Sequence, residues 1–520
     1  MSLAIPIFTL LLIVLIMLVI RLLRENFAFY WLIATVGAFI AWPMVLIMGT
    51  QLPQTQSLIA WKPETLFPSS LVLTADRISW PYAVVLITLV LALMLTEVAR
   101  ATESMWSSWA AGLLLGGLGI FAVFAGNPLT LLLAWTAIDL VELLILLRQS
   151  IPKNMRERVV VAFSVRILGS GLLMAAVLVT SSAGLEWTFA NIPSQAAVLL
   201  LLAVGLRLGV LLAYMPILRE STSRRSLGSM LHLVPAAASL VLLNRTAFVV
   251  EPSTIVTVLL LFVGLTAIYA GASWIFATDE IEGAPSWILG MASLSAAAAM
   301  LAQPIASQAW GIGVLLSGGL IFYTSVLERR MSWLLLLGFI GISALPFTPS
   351  WNGALMYAPP FKILMVIFVI AQVLLMVGYI RHTLRTREGF TNVERWVRLI
   401  YPLGLAILPL THFLYGWWAF VGFENLLLSS WLLGIITLLL TALIVGVTQF
   451  GPKVSFGRVA AFESFFSLQW FYSLIWMFIR AVENVIQFLT TVLEGEGGLL
   501  WAFLMLVMLF LAFAAMLGGI

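Results

Sequence analysis

Residues 195–217 read QAAVLLLLAVGLRLGVLLAYMPI, an apolar run that carries Arg207 at its centre, Gly205 and Gly209 on either side and Pro216 near its end. About 20 apolar residues suffice to cross the ~30 Å hydrocarbon layer of a bilayer. Glycine and proline interrupt such a helix, and hydrocarbon tolerates the freed backbone groups only where they line a polar cavity. The stretch therefore predicts a helix broken in mid-membrane beside a buried cation. Gly338-Phe-Ile-Gly-Ile-Ser-Ala-Leu-Pro346-Phe-Thr-Pro349 repeats the device five spans later. Five is odd, so the two broken helices face opposite ways across the bilayer, the sign of two inverted five-helix repeats, spans 4–8 and 9–13. Ordinary proline kinks would leave the same local pattern.

The rest of the chain is of the same kind. Of 520 residues 62% are hydrophobic and only 9% charged, and the mean hydropathy is +1.11, which excludes a soluble protein. Sixteen candidate spans have cores near 3–23, 27–48, 78–98, 107–125, 128–147, 159–181, 195–217, 226–248, 254–277, 285–302, 307–327, 332–350, 358–380, 397–419, 428–449 and 499–519. The first lacks a basic start and a small-residue cleavage site, so it reads as a retained span. Loops that follow odd-numbered spans, with the long segment before the last span, hold 20 of the 26 Lys and Arg residues. Loops that follow even-numbered spans hold four, Lys62, Arg77, Arg245 and Lys362. Basic residues collect on the cytoplasmic side, so both termini are expected outside the cytoplasm, most simply in a prokaryotic inner membrane. The isoelectric point of 9.4 is thus a property of loops and implies no nucleic-acid partner. Residues 462–492 alternate apolar and polar positions at helical spacing, with Glu463, Arg480, Glu483, Asn484 and Gln487 set against Phe465, Trp470, Ile475 and Phe478. They read as an amphipathic helix lying along the membrane. The expected segments are helices 1–3 in 1–105, a first repeat in 106–250, a second in 251–390, two further helices in 391–455, and the amphipathic helix with a last span in 456–520.

Five ionisable residues stand out at mid-membrane: Asp139, Glu142, Arg166, Arg207 and His232. Each costs at least ~2.5 kcal/mol to insert, so each calls for a reason. Asp139 and Glu142, three apart, are expected on one helix face with Trp135 and Thr136. Two close carboxylates need a cation between or beside them, and Arg166 and Arg207 are the intramembrane cations available. The group reads either as a polar chain along which water and protons move, or as ion pairs that hold helices in register. His382, in a basic loop, and His412, near a span end, read as interfacial. The chain has no cysteine, and no nucleotide loop, haem ligand pattern or metal cluster stands out, so neither cofactor nor metal is expected, nor a catalytic site of its own.

In the order of these features the chain resembles the antiporter-like membrane subunits shared by respiratory complex I and the Mrp-type cation/proton antiporters. The stretch from Asn127 to Asp139, with Trp135, resembles the fifth helix of that family. Arg207 falls where the family places a lysine on the broken seventh helix, and Arg225-Ser-Leu-Gly-Ser-Met-Leu-His232 is similar to the motif that follows. Leu168-Gly169-Ser170 resembles a glycine-serine step in the sixth helix, and 338–349 the broken twelfth. The amphipathic segment and last span look like the C-terminal lateral helix and final span of the largest subunit type. The resemblance runs from about residue 76 to the end. It implies an all-α polytopic fold of about 16 transmembrane helices, with a 14-helix antiporter-like core of two inverted repeats and a C-terminal amphipathic helix.

The resemblance also implies translocation of protons or other cations through two half-channels that meet on a charged midplane axis. It implies partners among the membrane subunits of such an assembly, and possible soluble redox or other subunits, as in an NADH-quinone oxidoreductase-type translocase. The sequence departs from the family pattern at each charged position. Thr136 stands at the usual glutamate, so Asp139 or Glu142 would substitute. Arg207 replaces a lysine, and a guanidinium does not release its proton at any working pH. Spans nine to twelve carry no Asp, Glu, Lys, Arg or His in their cores. Three readings follow: an ion-translocating subunit, a non-pumping subunit that anchors partners, and the membrane half of an inorganic-carbon uptake complex.

Overall fold

The computed structural model describes residues 2–24, 27–58, 70–100, 106–148, 153–186, 188–189, 192–211, 225–326, 331–357, 364–385, 389–390, 394–419 and 428–450, with scattered positions between 473 and 508. Lys62, Pro216, Lys362, Glu463 and most of the expected amphipathic segment and last span lie outside the described residues. Met1–Ser455 forms one compact unit and Phe456–Ile520 a second. In the second, Trp476, Met477, Arg480, Glu483, Asn484 and Gln487 are helical and exposed.

The first unit is built from helices α1 (Ile5–Leu23), α2 (Tyr30–Met48), α3 (Ser79–Glu97), α4 (Trp106–Val123), α5 (Pro128–Arg148), α6 (Lys153–Ser182), α7 (Ser194–Arg207), α8 (Arg225–Thr246), α9 (Thr254–Phe276), α10 (Ala284–Met300), α11 (Pro304–Tyr323), α12 (Ser332–Gly341), α13 (Leu364–Thr383), α14 (Val397–Trp418) and α15 (Leu428–Phe450). Each coincides with one of the first fifteen expected spans. Among the described residues eleven helices are long and apolar enough to cross a membrane, and α7 and α12 belong to the shorter apolar ones. The protein is an integral membrane protein of all-α architecture. Among the described residues the one small sheet pairs β1 (Gln54–Ser57) with β2 (Val72–Ala75), antiparallel with Gln54 opposite Ala75.

Local chemistry sets several helix starts. Proline opens α5 and α11, where its missing N–H costs nothing. Asp76 Oδ1 accepts from the backbone N–H groups of Ile78 and Ser79 at 3.0 and 2.7 Å, capping the approach to α3. Ser253 Oγ accepts from the Val256 N–H at 3.2 Å at the start of α9.

The packing of α4–α8 is reproduced five helices later. In the first bundle α4 packs on α5 and α8, α5 on α6 and α8, α6 on α7, and α7 on α8. In the second α9 packs on α10 and α13, α10 on α11 and α13, α11 on α12, and α12 on α13. The bundles meet where α8 packs on α10 and α11, and α3 runs between them against α4, α8, α11 and α14. Residues 227–244 of α8 are buried throughout, whereas α1 leaves most of its apolar surface outward for lipid or a neighbouring subunit.

Candidate functional site

On α5 the residues Trp135, Asp139 and Glu142 follow at i, i+4 and i+7, and all three are buried. Thr136, expected on the same face, is instead exposed, and its Oγ1 donates to the Leu132 carbonyl at 2.8 Å. Asp139 and Glu142 are thus buried on one face of α5, away from Thr136.

Opposite this face α6 supplies Arg166 and Ser170, and α7 ends on Arg207. The Arg207 guanidinium grips Asp139 with two parallel bonds, Nη1 to Oδ2 at 2.7 Å and Nη2 to Oδ1 at 2.9 Å. Its Nη1 also donates to the Arg166 carbonyl at 3.2 Å and to Ser170 Oγ at 3.3 Å. The guanidinium carbon lies 4.1 Å from the centre of a Trp135 ring, a cation–π contact that helps to replace lost hydration. Arg166 donates to Glu142, and the same Nη1 stands 3.7 Å from Asp139 Oδ1. Two buried anions and two buried cations therefore balance, which is the condition for keeping any of them charged away from water.

Glycine makes the site possible. A Cβ built on Gly169 would stand 2.7 Å from Arg207 Cγ and 2.9 Å from the Ala203 carbonyl. Only a hydrogen at that place lets α6 and α7 close over the arginine stem. The helix break also stands where the run around Gly205 and Gly209 predicts it. α7 stops at Arg207, Gly209 takes φ +75°, and the Leu211 N–H returns to the Gly205 carbonyl at 3.3 Å.

His232 of α8 is buried, its Nδ1 meets no protein partner, and Arg166 is the charged side chain that acts on its ring. It borders the four-charge group and makes no ion pair with it. Chemically the group can exchange partners. Arg166 lies within reach of both carboxylates, so a proton or cation arriving at one would release an arginine toward the other with a small side-chain movement.

The second bundle replaces charge with hydroxyls and indoles. Ser295 Oγ donates to the Ser307 carbonyl at 2.7 Å, and the indole N–H groups of Trp287 and Trp310 donate to the carbonyls of Val314 and Gly353, each at 3.1 Å. α12 ends at Gly341, and the chain continues irregularly past Pro346 and Pro349 to a 3-10 turn at Trp351–Tyr357. Ala344 and Phe347 take φ of 53° and 64° there, a left-handed conformation that costs about 1–3 kcal/mol per residue away from glycine.

His382 and His412, read as interfacial, are both buried. His382 Nε2 lies 2.9 Å from the Trp274 carbonyl and its ring stacks on that indole, with Arg381 and Arg385 donating to the carbonyls of Ile275 and Ala277. These three side chains of the α13 end satisfy the last carbonyls of α9, where cations are favoured. A further pair had no signal in the sequence beyond its loop positions. Arg245 Nη1 lies 2.9 Å from Asp76 Oδ2, joining the end of α8 to the start of α3. Burial works against ionisation of Asp76, but Arg245 and bonds from Ser79 and Ile78 outweigh it and hold the carboxyl below its ordinary range.

No family model and no curated protein sequence matches the chain. Solved structures do match in fold. A chain of the membrane-bound sulfane sulfur reductase, an archaeal respiratory membrane complex, superposes with a TM-score of 0.70 at 15% identity, covering 98% of this chain and 99% of its own. A chain of the Mrp complex from Dietzia sp. DQ12-45-1b gives 0.70 at 14% identity over 99% of this chain, which spans 63% of that longer one. A chain of respiratory complex I from Thermus thermophilus gives 0.56 at 14% identity, over 79% of this chain and 97% of that one. The fold is thus shared with membrane chains of Mrp-type and respiratory assemblies, as the resemblance of the sequence to antiporter-like subunits implied.

Proposed function

We propose that this chain is an ion-translocating, antiporter-like subunit of a multi-subunit membrane assembly, with Asp139, Glu142, Arg166, Arg207 and His232 on its polar axis. The observation that carries the reading is the four-charge group between α5, α6 and α7. It is buried in a core otherwise almost free of charge and stands at the point where α7 breaks. Arginine keeps its proton, so the carboxylates and His232 are the members that would take one up, while Arg166 and Arg207 would respond by changing partners. The breaks at Gly205 and Gly209, and at Pro346 and Pro349, would admit water to each bundle. The same reading places the chain in a prokaryotic inner membrane, beside other membrane subunits and with a soluble redox or other partner.

The native assembly in proteoliposomes tests it. The combined Asp139→Asn and Glu142→Gln variant keeps the side-chain shape, replaces one acceptor oxygen of each carboxylate with an NH2 and removes both anions, and is expected to lower proton or cation flux at least about tenfold. Unchanged flux in an intact variant assembly would remove these residues from the path.

A second reading has its own observation. Each anion of the group is already paired, and the helices of the second bundle offer hydroxyls and indoles in place of charge, as suits a subunit that anchors partners without pumping. On that reading the same variant leaves flux unchanged while weakening the assembly. The soluble protein that co-purifies decides between a respiratory, an Mrp-like and an inorganic-carbon uptake setting.

A further inference from the structure

α14 runs beside the break of α12. A Cβ built on Gly341, the last residue of α12, would stand 2.7 Å from His412 Nδ1 and 3.6 Å from Ser317 Oγ, so the imidazole occupies the space a side chain would take where the helix stops. One turn along α14, a Cβ on Gly416 would lie 2.6 Å from the Cα of Pro349, and Asn352 Nδ2 donates to the Ala419 carbonyl at 2.8 Å. Residues 412–419 thus line the irregular segment 341–352.

His412 is 1% exposed, and its Nε2 meets no protein partner. Tyr415, three residues on and so on the same flank of α14, has an equally buried and unpartnered Oη, and so does Asn244 at Oδ1. Tyr82 stands on α3, which packs on both α8 and α14, and its Oη accepts from Asn244 Nδ2 at 3.5 Å. On the other side of His412, Ser317 Oγ donates to the Gly338 carbonyl at 3.1 Å and Tyr379 Oη to the Ser317 carbonyl at 3.4 Å. The polar groups therefore run from the membrane face that carries Asp76 and Arg245 to the broken end of α12.

Buried polar atoms with no protein partner are met by water in native proteins, and here His412 Nε2, Tyr415 Oη and Asn244 Oδ1 are three such atoms. The titratable and charged groups on the helices packed against His412 are few. α3 offers Tyr82 and, at its far end, Glu97; α11 offers Tyr323, also at the far end; α12 offers none; α14 itself offers Tyr415 nearby and Arg398 and Tyr401 at its other end. No ion pair therefore fixes the imidazole in one state.

We propose that His412 is a water-accessible proton-binding site of the second bundle, delivered from α14 into the break of α12 and reached past Asn244, Tyr82 and Tyr415. A proton from water adds to one ring nitrogen and the other nitrogen releases its proton to water, so charge and atoms balance over the cycle without any other bond changing. That the site is wet and protonatable stands alone; that its proton belongs to a transport route rests on the proposed function.

The chain has only three histidines, so exchange of each ring C2 hydrogen for deuterium can be followed separately by mass spectrometry of the intact assembly across pH. His412 is expected to exchange with a sigmoidal pH profile that shifts in Tyr415→Phe, a variant that loses one hydroxyl and keeps the packing. Full protection of His412 at every pH would overturn the proposal. In proteoliposomes His412→Gln is expected to cut flux at least about tenfold. Flux that survives His412→Gln but falls with Asp139→Asn and Glu142→Gln would leave the proposed function standing and remove His412 from the route. An assembly with no flux at all would instead end the proposed function, and the exchange profile would then decide the His412 site alone.

Discussion

Arg207 satisfies both oxygens of Asp139 and rests on Trp135, so each charge finds in the other its main replacement for water, with Arg166 at 3.7 Å as a weaker second cation for Asp139. Removing one partner leaves the other buried and unpaired, a loss of about 3–5 kcal/mol, whereas replacing both with apolar residues of similar size is often neutral. Asp139→Leu and Arg207→Met are each expected to destabilise the protein by that amount, and the double variant by much less than the sum. Unfolding of the three variants in detergent measures the difference, and strict additivity would show that the pair is not coupled. The sequence made these residues legible because charge in a span is rare. It did not reveal their pairing, since Asp139, Glu142, Arg166 and Arg207 lie on three helices whose rotations no local pattern fixes.

At the scale of elements, the breaks were the most readable feature, because glycine and proline act on their own backbone whatever the neighbours do. Faces were the least readable. In a soluble helix polarity marks the outward side, but α5 meets lipid or apolar neighbours all round, so nothing in its sequence separated Thr136, which turns outward, from Trp135 and Asp139, which turn in. Distance from a span end misled in the same way for His412, whose burial comes from α3, α11 and α12. The α6–α7 contact depends on a single missing side chain. Gly169→Ala would drive a methyl into Arg207 Cγ and the Ala203 carbonyl, and because one of those is backbone the helices must part. A loss of about 1–3 kcal/mol is expected, together with a weaker Arg207–Asp139 bond. Thermal unfolding reads the first, and a double-mutant cycle of Gly169→Ala with Asp139→Leu, whose losses are expected to be less than additive, reads the second.

Across the whole molecule two descriptions of the chain diverge: the packing of α4–α8 recurs in α9–α13, but the charge does not. A scaffold can therefore keep its helix contacts after the polar chemistry of one half has changed, because small and aromatic side chains fill the same spaces that ion pairs would. The doubled architecture was legible from the odd spacing of the two breaks, and the direction of every helix follows once one loop is assigned to a side. On the expectation that basic residues collect on the cytoplasmic side, the 20-to-4 division assigns the α8–α9 loop, with Glu251, to the outside and the α13–α14 loop, with Leu384, to the inside, an assignment that labelling tests. Both residues are exposed, and the chain has no cysteine of its own, so a single introduced thiol reports without background. In whole cells Glu251→Cys is expected to react with a membrane-impermeant maleimide and Leu384→Cys only after permeabilisation. The reverse pattern would invert the topology, and equal reactivity of both in intact cells would break the alternation on which the inverted repeats depend.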